Sequence, residues 1–261
     1  KNSKLYAFIG TAEKGRLLTK ITVFGTPSHA SSPSKDAAVV KLAKLIEEFG
    51  KNDENAVISD DIKEYYKTTY QSYNMLTKYL ISNMGILKPV FISNISNNAE
   101  DRARISTTFA ITVIEASNVQ NSVSSDASVL IDSRIIPGEN TNDIKLYIDR
   151  KIKKILGNEE VKIEYLSEME PSVSKGKGSS EFENLSKIIR KIYPDISVSP
   201  YLTLGATDAR EYSNISDNTF RFLPCILTPQ EAALMHSDNE RISIKNWGRM
   251  ISFYKEYISS K

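Results

Sequence analysis

Two ten-residue stretches, TTFAITVIEA (Thr107–Ala116) and ASVLIDSRII (Ala127–Ile136), decide the fold of this chain. Both are rich in β-branched residues, whose stiff side chains suit a pleated surface. The polar run Ser117–Asp126 between them suits an antiparallel connection. Upstream, Arg16–Phe24 reads as a strand, with Leu18, Thr22 and Phe24 on one side and Leu17, Ile21 and Val23 on the other. Lys35–Phe49 then carries Val39, Leu42, Leu45, Ile46 and Phe49 at helical spacing, and Gly50 stops the helix. Downstream, Thr141 is the expected N-cap of a helix whose Ile144, Tyr147, Ile148, Ile152 and Ile155 share one face. Gly157 closes that helix, and Val161–Leu166 is a further strand. Strand, helix, strand, strand, helix, strand is the split βαβ order of a ferredoxin-like domain.

Around this unit the pattern weakens. Residues 51–104 read as an insertion, with one helix expected over Asp60–Ile81 and the rest unassigned. Pro171–Ser180 lacks periodicity and reads as a linker. Beyond it come a helix at Glu181–Tyr193, a strand near Thr219–Ile226 and a last helix at Ile244–Ile258. These have too few strands for a self-sufficient sheet, so the segment reads as part of a larger α/β domain. The expected division is residues 1–15 from that α/β domain, 16–168 the ferredoxin-like domain, and 169–261 the α/β domain again.

Composition limits the function classes. With 34 basic against 32 acidic side chains the formal charge is +2, so no overall field recruits nucleic acid or anionic membrane. The basic run Arg150–Lys154 is expected on a solvated helix face, and Lys175–Lys177 is assigned no partner. One cysteine, Cys225, excludes an intrachain disulfide and a thiolate zinc cluster, and fits a reducing, cytoplasmic compartment. No apolar run approaches the roughly 20 residues that span a bilayer. There is no phosphate loop of the G-x-x-x-x-G-K-[ST] type and no G-x-S-x-G elbow, which leaves nucleotide hydrolysis and serine or cysteine acyl transfer unsupported. The chain opens on Lys1 rather than methionine, and a trimmed or excised segment is expected.

The residues able to carry chemistry are few, and residue types alone leave each of them open. His29 lies in Gly25–Pro33, a small-residue loop that either presents the imidazole to a ligand or is merely braced by it. His236, in His-Ser-Asp-Asn-Glu at 236–240, suits a metal ligand or a capping network; no H-x-x-x-H or H-E-x-x-H spacing accompanies it. Gly205-Ala206-Thr207-Asp208-Ala209-Arg210 sits at an expected strand-to-helix junction, where a ligand could approach backbone amides or Thr207 or Asp208 could simply cap a helix. Arg134 shares a strand face with Asp132 and Leu130, and could pair locally or grip a substrate carboxylate in a two-pronged fork.

Taken in order, Ala12-Glu13-Lys14-Gly15, Gly25–Pro33 with His29, Asn121 through Arg134 to Pro137-Gly138, Gly205–Arg210 and His236–Glu240 resemble peptidase family M20, the aminoacylase, carboxypeptidase S-like and succinyl-diaminopimelate desuccinylase enzymes. The likeness spans nearly the whole chain and looks closest to the carboxypeptidase S-like branch. It implies a catalytic α/β domain binding two zinc ions and an inserted ferredoxin-like lid that forms a homodimer. By the same resemblance His236 matches the last zinc ligand, and His29 the lid histidine that reaches the partner subunit's site to steady an oxyanion. Asn121 and Arg134 match lid groups that hold the substrate carboxylate. Thr207, Asp208 and Arg210 match the catalytic-domain loop facing the substrate. The implied activity is hydrolysis of amide or peptide bonds in small N-acyl amino acids or peptides. The family's H-x-D motif, bridging aspartate and paired glutamates are not in this sequence, so the chain alone is expected to be inactive. The alternative is a stand-alone dimerisation or binding module without catalysis.

Overall fold

The computed structural model describes residues 4–51, 56–213, 215–235 and 237–260. The opening strands are β1 (Tyr6–Glu13), β2 (Gly15–Phe24) and the two-residue β3 (Ser28–His29), followed by helix α1 (Ala38–Gly50). An all-helical stretch follows, with α2 (Asp60–Thr68), α3 (Met75–Ser82), α4 (Lys88–Ile95) and α5 (Ala99–Ile105). Then come β4 (Thr108–Glu115), β5 (Ser122–Val123), β6 (Asp126–Ile135), α6 (Thr141–Leu156), β7 (Val161–Met169) and β8 (Ser172–Val173). The chain finishes with α7 (Ser180–Ile192), β9 (Ser197–Thr203), α8 (Pro229–Ala232) and α9 (Ile244–Ser259).

The ferredoxin-like unit is a four-stranded antiparallel sheet in the order β4-β6-β2-β7. One face is apolar: Leu17, Ile21 and Val23 of β2 and Val129, Ile131 and Ile135 of β6 are at most 1% exposed. They pack under Leu42, Leu45 and Phe49 of α1 and Ile144, Ile148 and Ile152 of α6. Burial of this face sets the register, because a one-residue slip would send all of these side chains to water. The opposite face carries no helix of this unit and displays Arg16, Leu18, Asp132 and Arg134. Val39, expected in the buried stripe of α1, is 47% exposed.

Asn140, not Thr141, caps α6. Its side chain accepts from the Asp143 amide while the Asp143 carboxylate accepts from the Asn140 amide. Thr141 is instead the first helical residue and donates its hydroxyl to Glu170. Asn140→Ala should therefore cost about 1 kcal/mol in urea unfolding with an unchanged denaturant slope; a change within 0.3 kcal/mol would sink the capping assignment. Of the basic run on α6, Arg150, Lys153 and Lys154 are exposed as expected, but Lys151 is not. Lys151 is 9% exposed, and together with Lys51 and Lys154 it surrounds the buried Glu48 of α1.

The insertion differs from the single helix expected over Asp60–Ile81. The helix ends at Thr68, a short 3₁₀ turn occupies Tyr70–Ser72, and Asn74 starts α3 by accepting from the Thr77 amide. Ile62, Tyr66, Leu80, Ile81, Phe91, Ile95 and Ile105 form its own small core.

The second sheet has the order β8-β1-β9, with β1 and β9 parallel. Neither β1 nor β9 follows from the sequence pattern: Pro200 lies inside β9, where it is accommodated because β9 is an edge strand pairing only with β1. The strand expected near Thr219–Ile226 is irregular chain, touching the sheet through one bridge between Gly10 and Arg221. Helices α7 and α9 cover this sheet through Phe182, Leu185, Ile189 and Phe253 packed on Ala7 and Ile9. The two sheets join at Gly15, the first residue of β2. A Cβ there would lie 2.6 Å from the Met169 carbonyl and 2.7 Å from the Pro171 nitrogen, so glycine lets the outgoing and returning strands pass in contact.

Candidate functional site

Three groups of side chains emerge from this framework. The first lies where β1 becomes β2. The Glu13 side chain is fully buried and accepts from the Thr207 amide and hydroxyl, from Arg210 at 2.8 Å and from Arg221 at 3.0 Å. Burial by itself raises its carboxyl pKa, but the bonds from Arg210, Thr207 and Arg221 outweigh this and hold it below the usual carboxylate range. Thr207 also caps the 3₁₀ turn Asp208–Tyr212 through the Ala209 amide, while Asp208 is exposed. Of the three residues expected in the substrate loop, Thr207 and Arg210 thus meet on Glu13 and Asp208 does not. Glu13 and Arg221 complete this cluster and are not among the site residues expected from the sequence. The available signal was a Glu-Lys pair ending an apolar run, since buried charges need partners.

Next in the chain, Lys14 is 2% exposed and donates to the carbonyls of Ala103 and Ser106, at 3.0 and 2.8 Å, at the C-terminal end of α5. Burial lowers its pKa to about 7; Arg134 pushes the same way and Glu139 opposes. Arg104, on the same helix, lays its guanidinium 4.4 Å from the Tyr65 ring and 5.5 Å from that of Tyr201, fixing the insertion to β9.

The second group is on the open face of the lid sheet. Arg134 donates to Asp132 through Nε at 2.8 Å and Nη2 at 3.3 Å, so the local pair expected as one alternative is formed. Asp132 is also held by Arg16, through Nε at 3.0 Å and Nη2 at 2.7 Å. The Arg134 side chain nevertheless stays 34% exposed, and its Nη1 edge does not face Asp132.

The third group is on a separate two-stranded sheet, β3 with β5, which follows the Phe24 and Asp126 ends of β2 and β6 in the chain. Ser28 and His29 pair antiparallel with Val123 and Ser122, and the Ala30 amide donates to the Asn121 carbonyl at 3.0 Å. His29 and Asn121 are therefore neighbours, both exposed. The Ser31 amide donates to His29 Nδ1 at 3.2 Å, which makes that nitrogen an acceptor, and among the described residues Nε2 has no hydrogen-bond partner. Eight residues of extended strand separate Asp126 from Arg134, roughly 27 Å at a strand rise of ~3.4 Å per residue. Within one chain, His29 and Asn121 do not share a small ligand with Arg134.

His236 lies outside the described residues. Among the described residues no three His, Cys, Asp or Glu side chains are grouped to hold a metal ion, so these residues do not fit a metal centre. No helix among them is long and apolar enough to cross a membrane.

Comparison with known proteins agrees with this layout. Residues 11–160 match the family model described as a peptidase dimerisation domain. The chain is 28% identical to a probable carboxypeptidase S-like 2 of Dictyostelium discoideum, covering 99% of this chain and 49% of that protein. It is 25% identical to the N-fatty-acyl-amino acid synthase/hydrolase PM20D1 of Mus musculus, over 98% of this chain and 51% of that protein. It superposes on the crystal structure of the M20 family metallo-carboxypeptidase Sso-CP2 from Sulfolobus solfataricus with a TM-score of 0.64 and 16% identity, covering 98% of this chain and 61% of that one. The chain thus spans about half the length of the curated relatives it matches. With the dimerisation-domain match covering more than half of its residues on a ferredoxin-like sheet, the chain belongs to the M20 peptidase family.

Proposed function

We propose that this chain is the lid and C-terminal catalytic part of a metal-dependent hydrolase that adds water across the amide bond of an N-acyl amino acid or small peptide. The observation that carries the reading is the partly exposed cationic edge of Arg134 on the open lid face beside the inter-sheet junction, suited to a terminal carboxylate. Names of relatives support the reaction class: carboxypeptidase S-like and N-fatty-acyl-amino acid synthase/hydrolase.

In this reading residues 1–15 and 169–261 belong to the catalytic domain and 16–168 to the lid. Thr207, Asp208 and Arg210 line the substrate loop, with Thr207 and Arg210 set by Glu13. Ile244, Trp247, Ile251 and Ile258 of α9 are all more than half exposed, which supports a larger α/β domain around this half. Zinc, as two ions, is the metal the reading calls for, with His236 as one ligand; the other ligands and the general base lie outside this sequence, and the 261 residues alone are inactive. A homodimer forms through the lid, whose edge strand β4 exposes Val113 and Ile114. One amino-acid-sized substrate cannot span the length of β6, so His29 and Asn121 come from one protomer and Arg134 from the other. The His29 Nε2–H then donates to the developing oxyanion. A cytoplasmic location, without nucleic-acid or membrane partners, completes the reading and rests on the single cysteine and near-neutral charge.

The test is steady-state hydrolysis of N-acyl amino acids and their C-terminal amides by the native protein supplied with zinc. Arg134→Lys should raise KM for the acids about 10-fold or more and leave the amides within 3-fold, because an ammonium lacks the planar fork. Equal losses on acid and amide, with a lower melting temperature, would make Arg134 purely structural. No turnover of any acyl or peptidyl substrate would favour a binding module.

A further inference from the structure

We infer that Arg16 is a positioning residue for substrate carboxylate, acting through Asp132 to keep Arg134 oriented and only partly neutralised; this rests on the proposed role of Arg134.

Arg16 lies directly across the ladder from Arg134, and Asp132 lies across from Leu18 on the same face. Both Arg16 donors fall on Oδ2 of Asp132, whereas the shorter bond from Arg134 falls on Oδ1. Oδ2 also takes the longer bond from Arg134 Nη2 at 3.3 Å, so the two guanidiniums share the carboxylate and fix its plane from two sides. The Asp132 side chain is 12% exposed, against 30% for Arg16 and 34% for Arg134, so the acid is covered while the two cations reach solvent. Such an arrangement does more than pin a rotamer. Two guanidiniums and one carboxylate sum to 2 − 1 = +1, leaving a positive patch on the lid face. Remove Arg16 and the sum becomes 1 − 1 = 0: Arg134 and Asp132 close into a neutral pair, and an incoming carboxylate meets Asp132 as well as Arg134. A merely structural cross-strand pair would be satisfied by one arginine, and among the described residues Arg16 has no hydrogen-bond or ion-pair partner other than Asp132.

The experiment compares KM and kcat on an N-acyl amino acid and its C-terminal amide for wild type, Arg16→Gln, Arg16→Lys and Arg134→Lys, each in the full-length native protein supplied with zinc, with thermal melts of each. Arg16→Gln should raise KM for the acid about 10-fold, the order expected of one partly exposed charge at short range, with kcat and the amide parameters within 2-fold. Arg16→Lys keeps the charge without the fork and should raise it about 3-fold. If Arg134→Lys discriminates acid from amide but neither Arg16 variant does, the positioning role is overturned and the carboxylate role of Arg134 stands. If Arg134→Lys itself shows no discrimination, both fall. Should Arg16→Gln not fold, Arg16→Lys decides alone: an acid-to-amide KM ratio equal to that of wild type overturns the inference.

Discussion

Glu13→Ala is expected to lower the unfolding free energy by about 3–5 kcal/mol, the range for removing one partner of a buried ion pair. The reason is what stays behind. Arg210 and Arg221, 15% and 9% exposed, would lose their shared counter-ion inside the junction between β1, β8 and the Gly205–Arg210 loop. Glu13→Gln keeps the shape and part of the hydrogen bonding and should cost less, about 1.5–3 kcal/mol. The acid branch has a definite sign. The folded carboxyl is held below its ordinary value of 4.5, so its stabilisation is complete above that value and is lost as pH falls through the lowered folded value. The difference between wild type and Glu13→Gln in urea unfolding should thus be constant from pH 8 to 6 and shrink on acidification below about pH 4. A Glu13→Ala protein less than 1 kcal/mol weaker than wild type would remove Glu13 as the hub of the junction.

Lys14 makes the opposite prediction on the alkaline side. A lysine whose folded pKa falls from 10.5 to about 7 binds its proton more weakly folded than unfolded. Between those values the unfolded chain holds more protons, so stability rises with pH across that window and sits at its lower plateau below pH 7. At about 1.4 kcal/mol per pH unit the full gain is roughly 3–5 kcal/mol. Lys14→Met fills the same space but leaves the Ala103 and Ser106 carbonyls without their donor, an offset independent of pH. The wild-type minus Lys14→Met stability difference should therefore climb between pH 6.5 and 10. A flat difference across that range would mean that Lys14 keeps its proton in the fold, satisfied by the two carbonyls and the nearby Glu139.

The lid is legible in residue order alone. Its strands and helices are local periodic patterns with one buried face each, as at Leu17, Ile21 and Val23 or Ile144, Ile148 and Ile152, and periodicity reports burial directly. The pairing of β4 with β6 and the placing of Arg134 beside Asp132 followed from the same alternation. Features whose burial comes from distant partners leave no such trace in the residue pattern. β9 hides a proline because it is an edge strand against β1, nearly two hundred residues away in sequence terms, a pairing that leaves no local signature. The insertion breaks after Thr68 because its core is assembled from four short helices rather than one amphipathic stripe. Glu13 and Arg16 look like ordinary strand charges until folding brings Arg210 and Arg221 to the one and Asp132 to the other. The separation of His29 and Asn121 from Arg134 depends on strand length and direction, which residue types do not encode.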